Sequence, residues 1–122
     1  MKLLHLALLF PLHLSAESME NYRFYQTDNI IPDNNSPYFS AFIKKNNPCI
    51  FVKDLKKNTT HEYCKMGNSG LDLKRDTPSI YPTRVYILGS TLFFNVAAPW
   101  NEQRCEIFLG DKSITCEPTG KN

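Results

Sequence analysis

The chain has 122 residues, and 14 basic against 12 acidic side chains leave a net charge of +2. That length holds one domain rather than two. A balance so near neutral argues against a protein that holds nucleic acid or a membrane surface by charge alone.

Residues 1–16 read as a secretory signal peptide and are excluded from the fold. Lys2 supplies the positive start. Residues 3–14 are apolar except for His5, Pro11 and His13, and Ser15 and Ala16 are small residues that suit cleavage after Ala16. The segment is too short and too broken to span a membrane, so a secreted protein without membrane association is expected. Cys49, Cys64, Cys105 and Cys116 all follow the leader. An even count in an exported chain reads as two disulfides. A zinc site would want closely spaced C-x-x-C pairs, which are absent. Three pairings remain open on these grounds.

Residues 17–48 are rich in Asn, Asp, Pro and Ser and read as an N-terminal extension, with Tyr22, Phe24, Tyr38, Phe39 and Phe42 as anchors on the domain. The domain itself is expected over residues 49–120. A strand over 49–52 turns through 54–58 and returns over 59–64. Residues 65–82 read as a long connecting loop, with Leu71 and Leu73 as plugs. A hairpin over 83–88 and 91–97 turns at Gly89-Ser90. A linker carrying Pro99 and Trp100 leads to a second hairpin, residues 105–116, turning at Gly110-Asp111. Gly-X is a favoured two-residue loop of type II′, with the glycine at positive φ. No stretch shows helical periodicity and no repeat is visible, so the class is all-β.

A two-residue turn fixes which side chains share a face. Around Gly89-Ser90, Ile87 faces Leu92, Val85 faces Phe94 and Thr83 faces Val96, an apolar set for the core. The other face pairs Leu88 with Thr91, Tyr86 with Phe93 and Arg84 with Asn95. Tyr86 and Phe93 must then be covered or kept for a partner.

Little points to catalysis. His61 is the only histidine after the leader. A one-histidine ribonuclease-like site could draw on His61, Glu62 or Glu106, and Arg84 or Arg104. Adjacent strand residues face opposite ways, which separates His61 from Glu62. No nucleophile elbow, P-loop, dinucleotide motif or calcium loop is present. No enzyme activity, cofactor or metal is therefore expected. Asn58-Thr59-Thr60 is a glycosylation acceptor at a turn, and Asn34-Asn35-Ser36 a second one weakened by Pro37.

The run Arg84-Val-Tyr-Ile-Leu-Gly-Ser, the alternating Leu92-Phe-Phe-Asn-Val-Ala, and Cys105 with Ile107-Phe-Leu-Gly-Asp resemble the C-terminal half of the ToxB toxins. Cys49-Ile-Phe-Val, a charged turn and a second cysteine resemble the first two strands of the same group. That group is the MAX effectors, secreted avirulence proteins and toxins of plant-pathogenic fungi. The resemblance covers residues 49 to about 120. It implies a six-stranded β-sandwich of two three-stranded antiparallel sheets, with disulfides Cys49–Cys105 and Cys64–Cys116. It also implies a monomeric, non-enzymatic virulence effector, in some members translocated into host cells, that binds a host plant protein such as a heavy-metal-associated domain or an immune receptor. The strand carrying Thr59, Thr60, His61 and Glu62 stands at a sheet edge in that scheme. Either this edge or the face with Tyr86 and Phe93 is expected to accept the partner.

Overall fold

A computed structural model describes residues 19–28 and 38–121. The expected signal peptide and the Asn34 acceptor lie outside the described residues. After a short 3-10 turn, Met19–Asn21, come β1 (Tyr22–Thr27), β2 (Phe39–Lys44), β3 (Asn47–Asp54) and β4 (Thr59–Tyr63). A one-turn helix α1 (Leu73–Asp76) precedes β5 (Tyr81–Leu88), β6 (Thr91–Ala97), β7 (Gln103–Phe108) and β8 (Ile114–Pro118). The strands form two four-stranded antiparallel sheets, β1-β2-β3-β4 and β5-β6-β7-β8. The all-β class stands, but the expected two sheets of three strands are replaced by two of four.

The extra strands come from the segment expected to be an extension. In β2, Phe39, Ala41 and Ile43 alternate toward the core, and Ala41 is fully buried. This period-two pattern makes β2 an inner strand rather than an appendage. The anchors expected there divide. Phe24 and Phe39 pack on the core. Tyr22, Tyr25, Phe42 and Phe51 form a ladder on the outer face of the first sheet, with Phe42 and Phe51 stacked at 5.3 Å. Tyr38 is exposed, with Lys56 over its ring.

Both sheets turn their apolar faces to one core, so the architecture is sandwich-like. Ile50 and Val52 of β3 meet Leu92, Phe94 and Val96 of β6 and Ile107 of β7 in a single cluster. Leu73 plugs this core as its sequence context suggests, and Met66 joins it. Asp72 caps α1 by accepting from the N–H groups of Lys74 and Arg75.

The disulfides are local: Cys49–Cys64 and Cys105–Cys116. This corrects the pairing that the resemblance implies, which would have crossed between the sheets. The reason is register. Cys105 and Cys116 are direct partners across β7 and β8, with Cα atoms 4.1 Å apart. The pairing of Ile50 with Tyr63 puts Cys49 opposite Cys64 at the next step, at 4.7 Å. Each bond therefore staples the outermost strand of a sheet, β4 or β8, to its neighbour.

The turns add two further corrections. Gly89 takes φ +63 in a two-residue loop between Leu88 and Thr91, as the sequence requires. The expected pairing holds from Leu88 to Tyr86. A bulge then shifts Thr83 to face Asn95 and Pro82 to face Val96, with Arg84 at φ +53. At the last hairpin the left-handed residue is Lys112, φ +65, and not Gly110. The loop opens to four residues because Leu109 is fully buried and its N–H donates to the Ser90 carbonyl.

The same loop closes the first sheet. Asn58, φ +59, donates its N–H to the Asp54 carbonyl at 2.7 Å, as Lys112 does to that of Phe108 at 2.7 Å. Leu55 N–H donates to the Tyr38 carbonyl just before β2, and Leu109 N–H to Ser90 just before β6. Each half of the molecule is thus the same four-stranded meander, bulged in its first hairpin and disulfide-bonded between its third and fourth strands.

Candidate partner-binding site

Strand β4 exists because it alternates around a fixed turn. The Asp54 carboxylate accepts from the N–H groups of Lys57 and Lys56, both at 3.0 Å, and starts the return. The Lys57 N–H and, after it, that of Lys56 hold the Asp54 carboxyl below its ordinary value. From there Thr59, His61 and Tyr63 pair with Asp54, Val52 and Ile50. Tyr63 leans inward, and its hydroxyl donates to the Lys112 carbonyl at 2.9 Å, tying β4 to the loop of the second sheet. Burial, and then the nearby Asp111 carboxylate, push the Tyr63 hydroxyl above its ordinary pKa.

The parity of the ladder identifies the free backbone groups. The 4.7 Å Cα separation of Cys49 and Cys64 marks a non-hydrogen-bonded pair, because such pairs approach to about 4.5 Å. Pairs alternate from there. Thr59, His61 and Tyr63 bond to β3, while Thr60 and Glu62 turn their N–H and C=O groups outward. The Cys64 carbonyl, of the same parity, already accepts from Leu73 N–H at 2.8 Å, so the loop that leads into α1 closes this end of the edge. Thr59, Thr60, His61 and Glu62 are all exposed. The edge is short, polar and backed by a disulfide.

The residues of the other expected surface lie together, away from β4. Tyr86 and Phe93 stack across β5 and β6 with centroids 5.2 Å apart. Leu88 and Phe108, 66% and 47% exposed, extend the same outer face. Sequence reasoning placed Phe108 in a hairpin strand but did not join it to this face, because the face was read only around Gly89-Ser90 and the sequence does not reveal the register of β7 against β6. This face belongs to the second sheet and β4 to the first, so the structure does not merge them into one site.

The residues of the one-histidine arrangement do not assemble. His61 lies on β4, its ring centroid 6.5 Å from that of Tyr63. Glu106 and Arg104 stand exposed on β7, and Arg84 on β5, in the other sheet. Glu62 accepts a hydrogen bond from the Asn47 amide at 3.1 Å. It also approaches Cys49 and Cys64, whose donor atoms lie within 4.8 Å of its own. Both sulfurs are consumed by their mutual bond and offer no thiolate to a metal. Asn58 is exposed at the loop just before β4.

No family model matches the chain, and no curated protein or solved structure matches it.

Proposed function

We propose that this chain is a secreted, non-enzymatic effector of the kind its resemblance to MAX effectors indicates, and that it binds a host plant protein by strand addition at β4, modulating immunity. The observation that carries the reading is the outward backbone of Thr60 and Glu62 on a strand fixed at one end by Cys49–Cys64 and at the other by the Asp54 turn. A sheet edge takes affinity from main-chain hydrogen bonds and selectivity from alternate side chains. An edge already held in strand geometry spends less ordering entropy on binding. Two disulfides in a small all-β fold also suit an oxidising, extracellular route.

Affinity capture from host plant extract tests the reading. The oxidised parent is expected to retain a partner that Thr60→Pro loses, since proline removes an outward N–H without breaking the β3 ladder. Tyr86→Ala and Phe93→Ala are expected to retain it. Loss by those two with retention by Thr60→Pro would move the site to the outer face of the second sheet. Retention by all three folded variants would remove both surfaces.

A further inference from the structure

The two sheets approach each other at β1 and β5, where Ile87 N–H donates to the Gln26 side chain. Beside this contact is a cleft of about 450 Å³. That size falls in the roughly 300–1,000 Å³ range of small-molecule sites. Arg23 of β1, Lys45 of the β2–β3 turn and Arg84 of β5 line it from three separate segments, and no acidic residue does. Phe24, Ile43 and Val85 form its apolar wall. The single ion pair among the described residues joins Arg75 to Asp76, so none of the three cations is neutralised by a carboxylate there.

Arg84 is the distinctive member. The bulge in β5 leaves Arg84 and Val85 together opposite Phe94, and Arg84 takes the left-handed conformation at φ +53. Glycine adopts that backbone freely, whereas an arginine adopts it at a conformational cost. Backbone outliers of this kind collect at binding sites. The bulge gives Arg84 a place on the strand that an unbulged β5 would not, and there it lines the cleft together with a cation from each of two other segments.

We propose that this cleft binds a small tetrahedral oxyanion ester, a phosphate or sulfate monoester carried on an apolar body. Guanidinium forks match the oxygens of such a group two at a time. The third cation suits the second negative charge that a phosphate monoester carries and a sulfate monoester lacks, and Phe24, Ile43 and Val85 take the body. The site is distinct from the β4 edge and does not depend on it.

Calorimetric titration of the oxidised chain with phenyl phosphate, phenyl sulfate, inorganic phosphate and benzyl alcohol tests the assignment. Phenyl phosphate or phenyl sulfate is expected to bind saturably, and at least about tenfold more tightly than the inorganic ion or the neutral alcohol. The tighter of the two names the ester. Arg84→Gly keeps the left-handed backbone and removes the guanidinium. It is expected to leave the melting temperature unchanged or raised and to weaken binding at least about tenfold. Arg23→Gln, on a different strand, is expected to weaken binding likewise and decides the matter if the glycine variant fails to fold. Absence of saturable binding to either ester would overturn the proposal. So would parent-like binding by the folded variants, or equal binding of benzyl alcohol.

Discussion

Asn58, Arg84 and Lys112 are the three non-glycine residues at positive φ among the described residues, and each sits where a strand must turn or bulge. Asparagine tolerates this region better than most side chains. Asn58→Val is expected to cost about 1–2 kcal/mol, while Asn58→Gly should leave the denaturation midpoint nearly unchanged. Parallel urea titrations check both. The turn beside it also sets a pH dependence. Backbone N–H groups hold the Asp54 and Asp111 carboxyls below their ordinary values, and Arg75 does the same for Asp76. A carboxyl depressed in the folded state contributes stability fully present above the ordinary carboxylate pKa and lost as pH falls through the folded value. Melting temperature is therefore expected to fall as pH drops below about 4. Asp54→Asn should flatten part of that decline. An acid limb identical to the parent's would remove Asp54 from the account.

At the scale of elements, each disulfide holds an edge strand. A non-reducing peptide map is expected to yield Cys49 joined to Cys64 and Cys105 joined to Cys116, with no bridge between the sheets. Replacing Cys49 and Cys64 by serine should accelerate amide exchange in β4 selectively, because little else binds its exposed side chains. The hairpin at Gly89-Ser90 was legible in the sequence because a glycine before a polar residue, between alternating apolar runs, has one good backbone solution. The cysteine pairing was not legible, since spacing is compatible with local and long-range bridges alike and only register decides between them. Nor was β2: its neighbours Asn46, Asn47 and Pro48 resemble loop composition, and Phe39, Ala41 and Ile43 gain their strand character by packing against β3. The bulge at Arg84 depends on tertiary fit and leaves no sequence mark.

For the whole molecule, the repetition of one four-stranded meander explains the single core. Neither sheet can bury its apolar face alone, and each supplies the other's cover. Phe94 lies at the centre of this arrangement, 1% exposed. Phe94→Ala is expected to destabilise by about 3–5 kcal/mol. That is a large share of the roughly 5–15 kcal/mol that a domain of this kind commands. The repetition was invisible in the sequence because the equivalent loops, Leu55 to Asn58 and Leu109 to Lys112, share only their leading leucine, and the cysteines occupy different rungs of their ladders.

The candidate edge was legible as a polar strand between a turn and a cysteine. Which of its amides stand free emerged only with the register. Residue-resolved amide exchange of β4, measured alone and with the captured host partner, tests the central claim most directly. In the free chain Thr60 and Glu62 amides should exchange rapidly while those of Thr59, His61 and Tyr63 are protected. On binding, Thr60 and Glu62 should become protected, with the pattern elsewhere on the strand preserved. Unchanged exchange at both residues in a saturated complex would contradict strand addition at β4.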